Sequence, residues 1–326
     1  MASGSGDGIV KAWDLVSREE MFSVHAHEGV MKGLCYTVDG RLLSCSTDKL
    51  IKLWDLESKE VRPKSNSFAN VKPVQTYVGT QGYNTIDHHR NDAIFATSSS
   101  VIDIWDEHRT QPTATLSWGV DTINAVKFNQ TDTSVLASAG TDRALILYDL
   151  RTATPISKLV TELRTNALSW NPMEAFNFAA ASEDHNIYIY DMRKLTRALN
   201  VMKDHVSAVL DVDFSPTGEE LVTGSYDRSI RIFRTREGRS REIYHTKRMQ
   251  RFPIICRIWL TCKACSQSSS AWMQSISCLV VTMGMFDYGG QMPLIEPSFD
   301  PPVNNRNLIT RNTSKNSSSI CQRYDA

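Results

Sequence analysis

The 326-residue chain lacks several features that usually direct a functional interpretation. Its 36 basic and 36 acidic residues cancel, so no overall field favours nucleic acid or an anionic membrane. No apolar run approaches the roughly 20 residues that span a bilayer, and residues 1–15 have no basic segment followed by an apolar one, as a secretory signal requires. We therefore expect a protein of the cytosol or nucleus with reduced cysteines and no membrane partner.

Signatures of catalysis and of metal binding are also missing. The sequence has no P-loop, nucleophile elbow, zinc-protease motif or dinucleotide fingerprint. His88 and His89 have no Cys or third His at ligand spacing, whereas structural zinc needs four ligands. Cys262 and Cys265 lack a second pair. We expect a non-catalytic protein without cofactor or metal, in which His88 and His89 lie in a loop.

What the chain does contain is a repeated six-residue step from an Asp to a large aromatic residue, with apolar residues alternating between them. The step runs from Asp7 to Trp13, Asp48 to Trp54, Asp142 to Tyr148, Asp184 to Tyr190 and Asp227 to Phe233, and a sixth unit keeps Trp105 but has Ser99 in place of the Asp. The aromatic residues lie 41, 51, 43, 42 and 43 positions apart. This period predicts four-stranded antiparallel sheets arranged as an all-β propeller.

The units resemble WD repeats, in which a loop His, a strand Ser or Thr, the turn Asp and the strand aromatic form a buried hydrogen-bonded tetrad. In the second unit the resemblance implies a tetrad of His27, Ser44 or Ser46, Asp48 and Trp54. We interpret these residues as structural and not as catalytic.

The last unit implies a shorter version of the same network, formed by His205, Thr223 or Ser225, and Asp227. Phe233 has no ring N–H, so one donor is lost there. The other turn and aromatic residues of the repeats receive the same structural interpretation.

The repeat pattern stops at about residue 251. Charged residues fill 62 of the first 251 positions but only 10 of the last 75, and five of the seven cysteines lie in that last part. We expect residues 1–251 to form an incomplete propeller with six recognisable repeats of a seven-bladed design, a partial first blade and no complete seventh blade. We expect residues 252–326 to be an irregular Ser-, Cys- and Asn-rich tail, disordered or translated out of frame.

Five segments resemble one particular WD-repeat family, the Sof-type proteins of the small-subunit processome. They are residues 83–89 (YNTIDHH), 101–107 (VIDIWDE), 170–176 (WNPMEAF), 204–212 (DHVSAVLDV) and 240–250 (SREIYHTKRMQ). The resemblance implies a nucleolar scaffold for small-subunit assembly, with processome proteins and pre-ribosomal RNA or a small nucleolar ribonucleoprotein as partners. Sof-type proteins are also described as substrate receptors of cullin-RING ubiquitin ligases, which is the alternative function. A generic WD-repeat binding module is the third.

A basic stretch is the first candidate binding site. Residues 228–251 hold nine Lys or Arg residues and two Glu residues. Such a stretch can neutralise RNA phosphates, although charges also occupy solvated outer strands and loops. The candidate RNA or ribonucleoprotein contacts are Arg234, Arg236, Arg239, Arg241, Lys247, Arg248 and Arg251.

Three repeat ends form the second candidate site. The segments that end in Arg151 and Arg193 resemble the W-D-x-R box by which propellers dock on the cullin ligase adaptor, with Tyr in place of Trp. Arg109 follows a Trp-Asp pair but lies one residue too far along. Such an Arg can bind a partner carboxylate through two hydrogen bonds, or can pair locally with its own Asp.

Overall fold

A computed structural model describes residues 1–14, 20–56, 72–117 and 121–245, which form six antiparallel sheets. Sheets 1 to 3 contain β1 (Ala2–Gly4), β2 (Ile9–Trp13) and β3 (Glu20–His25); β4 (Met31–Tyr36), β5 (Leu42–Ser46), β6 (Leu50–Trp54) and β7 (Gln75–Val78); and β8 (Thr85–His88), β9 (Ile94–Ser98), β10 (Ile102–Asp106) and β11 (Ala114–Leu116). Sheets 4 to 6 contain β12 (Ile123–Phe128), β13 (Val135–Gly140), β14 (Ala144–Asp149) and β15 (Thr154–Val160); β16 (Thr165–Trp170), β17 (Asn177–Ser182), β18 (Asn186–Asp191) and β19 (Asn200–Lys203); and β20 (Val209–Phe214), β21 (Glu220–Ser225), β22 (Ser229–Arg234) and β23 (Ser240–His245).

Each sheet follows chain order, because within a sheet every strand pairs in antiparallel fashion with the next strand of the chain. The repeated Asp occupies the turn between the second and third strands of a four-stranded sheet. The residue after it takes a left-handed conformation at Lys49, Arg143, His185 and Arg228, with φ between 63° and 71°. In sheet 1 that residue is Gly8, where a Cβ would lie 1.8 Å from the His27 carbonyl oxygen, so only glycine fits.

Neighbouring sheets pack through their faces, and their first strands (β4, β8, β12, β16 and β20) contact one another in sequence. The second strands are almost wholly buried; β5 and β13 show no exposed position. Between sheets 5 and 6, for example, Ile187 and Ile189 pack with Val212, Leu221 and Phe233. Burial on both faces explains why the small and apolar residues of these strands form nearly continuous runs.

We use two names for the ends of the sheets. The Asp edge carries the turns with the repeated Asp and the loops that lead into the next sheet. The far edge carries the loops between first and second strands and between third and fourth strands. Hydrogen bonds described below join the far-edge loops of neighbouring sheets, so these loops share one side of the molecule.

The predicted all-β WD-repeat propeller arrangement is confirmed, and the six sheets coincide with the six units. Sheet 1 has three described strands, in the order β1-β2-β3. Among the described residues no helix is long and apolar enough to cross a bilayer. The expected tail at 252–326 lies outside the described residues.

Candidate functional site

The structure brings together the four residues of the second-sheet tetrad. His27 Nδ1 lies 2.8 Å from Asp48 Oδ2, and His27 Nε2 lies 2.8 Å from Ser44 Oγ, which also accepts a hydrogen bond from Trp54 Nε1 at 3.0 Å. Ser44 and not Ser46 fills the strand position. Burial lowers the pKa of His27 more than the Asp48 carboxylate raises it, so the ring stays neutral and accepts the Ser44 proton.

The sixth sheet holds the shortened network. His205 Nδ1 lies 2.9 Å from Asp227 Oδ2, and His205 Nε2 lies 2.8 Å from Thr223 Oγ1. The Ser229 hydroxyl donates to Asp227 at 2.6 Å. Although burial alone would raise the pKa of Asp227, the hydrogen bonds from Ser229 and His205 hold it at about 2. Phe233 contributes only its ring, 6.1 Å from that of His205.

Sheets 3 to 5 use substitutes for the tetrad. In sheet 3, Trp105 Nε1 donates to Thr97 Oγ1 at 2.9 Å, and Ser99 accepts from the Val101 amide at 3.4 Å, as a turn Asp would. In sheet 4 the Asp142 carboxylate accepts from the Ala144 amide at 3.1 Å. The Tyr148 hydroxyl is buried there without a well-formed hydrogen bond.

Sheet 5 contains a partner that the repeat pattern did not predict. The Tyr188 hydroxyl donates to Asp184 Oδ2 and so takes the role that the loop His has in sheets 2 and 6. The Tyr190 ring stacks on that of Tyr188 at 6.0 Å between centroids. The signal in the sequence is a Tyr four residues after the repeated Asp, inside the strand.

Sheet 1 departs most from the repeat. Asp7 is exposed in its turn, and among the described residues nothing donates a hydrogen bond to its carboxylate. Trp13 Nε1 donates to Ser3 Oγ at 3.2 Å, and Lys11 Nζ lies 5.6 Å from the Trp13 ring centroid. The expected role of Asp7 as a turn acceptor is therefore not seen.

His88 and His89 lie at the far edge of sheet 3, and His88 is the last residue of β8, so its expected loop position is wrong. Its Nδ1 lies 2.6 Å from the His89 carbonyl oxygen, and its Nε2 lies 2.6 Å from Glu107 Oε1. Both side chains of the His88–Glu107 pair are more than nine-tenths buried. His89 accepts from the Asn91 and Asp92 amides and donates to the Thr133 carbonyl oxygen at 3.0 Å. Every ring nitrogen is thus engaged.

No cluster of three or more His, Cys, Asp or Glu residues suited to a metal ion occurs in the described part of the chain. The polar atoms of the tetrad residues in sheets 2 and 6 likewise hydrogen-bond to one another. The His and Asp residues of the described tetrads therefore have a structural role: they hold the loop before each sheet to the turn within it.

The far-edge loops are hydrogen-bonded from sheet to sheet. Arg90 Nη1 donates to the Gln130 carbonyl oxygen at 2.9 Å, joining sheets 3 and 4. Asn129 Nδ2 donates to the Ala175 carbonyl oxygen at 2.7 Å, and Asn171 Nδ2 donates to the Gly218 carbonyl oxygen at 3.2 Å. These Asn bonds continue the chain through sheets 5 and 6, so the far edge is a pre-formed surface.

Arg151 and Arg193 point from the far edges of sheets 4 and 5 with the same local geometry. Arg151 Nη2 lies 3.0 Å from Asp149 Oδ2, and Arg193 Nη2 lies 2.7 Å from Asp191 Oδ2. The guanidinium groups lower the pKa of these Asp carboxyls. The arginine side chains remain 75% and 60% exposed, so each keeps donors available for a partner.

Other far-edge residues distinguish the three arginines. The Arg193 guanidinium lies 4.1 Å from the centroid of the exposed Phe176 ring, a cation–π contact. Arg109 is looser, with Nε 3.6 Å from Asp106 Oδ2. The sequence interpretation did not single out Phe176 as a surface residue, because aromatic residues of this size are usually assigned to a core.

Four residues of the predicted basic site are described, and all are exposed. Arg234 pairs with Glu237 at 3.2 Å, and Arg241 pairs with Glu220 at 2.9 Å. Among the described residues neither Arg236 nor Arg239 has an ion pair. Lys247, Arg248 and Arg251 lie outside the described residues.

A group of carboxylates lines the inner strands, and the repeat pattern gave no sign of it. Asp87 on β8 pairs with Lys127 Nζ at 2.7 Å, and Asp213 on β20 accepts from Ser169 Oγ at 2.9 Å. Burial and then the charge of Asp213 raise the pKa of Asp211 to about 7. Burial, partly offset by the Ser169 hydrogen bond, raises that of Asp213 to about 6.

These raised pKa values predict a pH-dependent gain from removing the two carboxylates. A carboxyl whose pKa is about 7 folded and 3.8 unfolded opposes folding most strongly above pH 7, and the penalty shrinks as the pH falls from 7 to the unfolded value of 3.8. Replacing Asp211 and Asp213 with Asn should raise the melting temperature by a few degrees at pH 8 and give much less gain at pH 4. The lowered pKa values of His27 and His205 affect the stability of the unaltered chain and of the Asn variant equally, so their contributions cancel in the comparison. Equal gains in melting temperature at pH 8 and pH 4 would contradict the raised pKa values of Asp211 and Asp213.

Comparison with known proteins places the chain among WD-repeat proteins. The protein-family model described as "WD domain, G-beta repeat" matches residues 18–55, and the family model described as "NUP159/214 beta propeller" matches residues 96–257. Protein SOF1 of Saccharomyces cerevisiae is 51% identical over 267 residues, which is 77% of this chain and 55% of the relative. DDB1- and CUL4-associated factor 13 is 49% identical over 258 residues in both Xenopus tropicalis and Homo sapiens, which is 79% of this chain and 56% of the relative.

The chain thus spans just over half the length of the curated relatives it matches. That match, the six WD-type sheets and the segments such as WNPMEAF lead to the same family. The chain belongs to the WD-repeat proteins of the Sof type.

Proposed function

We propose that the chain is a non-catalytic interaction scaffold in the biogenesis of the small ribosomal subunit, in the nucleolus, with processome proteins and pre-ribosomal RNA as partners. The similarity to Protein SOF1 supports the family role. We also propose residues 1–251 as its propeller domain, with 252–326 as a separate tail.

The observation that carries this proposal is the contrast between buried and exposed polar residues. The His and Asp side chains of sheets 2 and 6 bond to each other and are largely buried. Arg236 and Arg239, by contrast, are exposed and have no ion pair within the described residues. The His and Asp side chains thus stabilise the fold, while exposed cations lie on loops held by hydrogen bonds. This arrangement suits binding and not catalysis.

The proposal predicts that two charge reversals weaken pre-ribosome association. We expect Arg236→Glu plus Arg239→Glu to reduce co-sedimentation of the full chain with pre-ribosomal particles roughly tenfold, because phosphate neutralisation turns into repulsion. The matched control is Lys72→Glu plus Lys158→Glu, which reverses two exposed charges on other sheets. Sedimentation in sucrose gradients, with and without RNase, measures the effect. Unchanged sedimentation of the first variant would contradict the RNA contact.

A role as ligase substrate receptor is the second candidate. The similar relatives named DDB1- and CUL4-associated factor 13 and the matching geometry of Arg151 and Arg193 favour it. In the same fractions, adaptor binding that resists RNase and is lost in Arg151→Ala plus Arg193→Ala would favour this second role.

A further inference from the structure

The far edges of sheets 5 and 6 carry more positive charge than their carboxylates balance. Asp191 is paired with Arg193, and Glu237 with Arg234. Glu220 and Glu242 both lie within ion-pair distance of Arg241. Asp204, in the loop that leads into sheet 6, lies 3.8 Å from Arg231 and also interacts electrostatically with Arg239. Four exposed cations remain that form no ion pair within the described residues, namely Lys194, Arg197, Arg236 and Arg239. Glu174 in sheet 5 and Glu219 in sheet 6 are the exposed carboxylates of these far edges that form no ion pair within the described residues, so two positive charges stay unbalanced.

These four cations come from two loops, of which the second packs along the strand that follows the first. Lys194 and Arg197 lie in the loop 192–199 of sheet 5, and Arg236 and Arg239 lie in the loop 235–239 of sheet 6. Asn200, which follows the first loop, donates through Nδ2 to the Thr235 carbonyl oxygen at 3.0 Å. The loop 235–239 is further fixed to sheet 5, because the Lys203 amide donates to the Gly238 carbonyl oxygen at 3.1 Å. The two loops therefore form one surface, which we call the paired-loop surface.

The composition of this surface indicates how it would recognise a polyanion. Neither loop contains an aromatic residue that could stack on an unpaired base, and the exposed Phe176 ring nearby is already covered on one face by the Arg193 guanidinium, 4.1 Å from its centroid. Cations fixed on loops without such a platform suit the regular phosphate rows of a base-paired RNA, which proteins recognise mostly by shape and backbone contacts.

We propose that the paired-loop surface binds the phosphate backbone of a base-paired RNA, with Lys194 and Arg197 contributing as much as Arg236 and Arg239. This inference rests on the proposed function and extends its RNA contact from sheet 6 to sheet 5. The sequence placed the basic site entirely after residue 228, because Lys194 and Arg197 belong to a different repeat and meet the later loop only through folding.

The test uses the full chain and a fluorescent RNA hairpin of about 16 base pairs, with anisotropy measured at rising KCl concentrations. Four phosphate contacts predict a slope of about −3.6 for the logarithm of the binding constant against that of the salt concentration. Lys194→Gln plus Arg197→Gln should reduce the steepness by about 1.8, and Arg236→Gln plus Arg239→Gln should do the same. The control, Lys72→Gln plus Lys158→Gln, should bind as the unaltered chain does.

Each outcome separates this inference from the proposed function. If the sheet 5 variant binds like the unaltered chain while the sheet 6 variant is impaired, the inference fails and the RNA contact of sheet 6 stands. If the unaltered chain sediments with pre-ribosomal particles but binds no hairpin, the inference fails and the proposed function stands. If a polyglutamate competitor displaces the hairpin at equal charge concentration, the surface prefers an acidic protein and the inference is overturned. Thermal unfolding of all variants should be unchanged, since the four side chains are exposed.

Discussion

Replacing His27 with alanine is expected to lower the free energy of unfolding by about 3 kcal/mol, because a buried network loses its central member. The His27 side chain is fully buried between two partners. Its removal leaves the Asp48 carboxylate without its buried donor and the Ser44 hydroxyl without its acceptor. Urea unfolding followed by tryptophan fluorescence measures the loss.

The matched comparison for this prediction comes from the protein itself. Trp54→Phe removes only the indole donor to Ser44 and recreates the arrangement that Phe233 has in sheet 6. We expect it to cost about 1 kcal/mol, the usual value of one hydrogen bond with a small loss of contact. If His27→Ala lowers the free energy of unfolding no more than Trp54→Phe does, the tetrad does not stabilise the second sheet as proposed.

Replacing Glu107 with alanine is expected to cost about 3 kcal/mol as well, for a reason that follows from proton positions. A carbonyl oxygen can only accept, so the 2.6 Å contact with the His89 carbonyl places a proton on His88 Nδ1. The 2.6 Å contact between His88 Nε2 and Glu107 Oε1 then requires one more proton between those atoms. Alanine leaves that buried nitrogen without a partner.

Glu107→Gln separates this account from one in which the negative charge of Glu107 stabilises the pair. The Gln amide can donate to the neutral His88 Nε2 and has nearly the volume of Glu, so we expect a loss below about 1 kcal/mol. The hydrogen bond from the Tyr77 hydroxyl goes to the backbone oxygen of residue 107 and is kept in both variants. Equal losses for Gln and Ala, measured by urea unfolding, would show that the carboxylate charge, and not a hydrogen bond between the two side chains, stabilises the pair.

The sequence predicted those features of the fold that repeat. The six-residue step and its period of about 43 residues specify paired strands and a turn, which are local, so the six sheets follow from it. The turn acceptors Asp48, Asp142, Asp184 and Asp227 each receive the amide of the residue two positions later, as short-range Asp chemistry allows.

Contacts between repeats could not be predicted in the same way. The His88–Glu107 pair joins the first strand of sheet 3 to a loop 19 residues later, and no periodic signal marks either residue. Tyr188 replaces a His that the pattern places in a distant loop. Asp213 lies near Asp87 of β8 and accepts a hydrogen bond from Ser169 of β16, and these residues meet only because the inner strands pack side by side. The paired-loop surface depends likewise on two loops from different repeats.

The central claim is that the repeated His and Asp residues hold the sheets together, while the exposed far-edge cations carry the interaction function. The most direct measurement compares two variants of the full chain in one pre-ribosome gradient, Trp54→Phe and Arg236→Glu plus Arg239→Glu. The account predicts that Trp54→Phe sediments with the particles as the unaltered chain does, although its unfolding free energy is lower. It predicts that the variant with the double charge reversal no longer sediments with the particles, although its free energy of unfolding is unchanged. Loss of the Trp54→Phe variant from the particles, with retention of the charge-reversed one, would contradict the account.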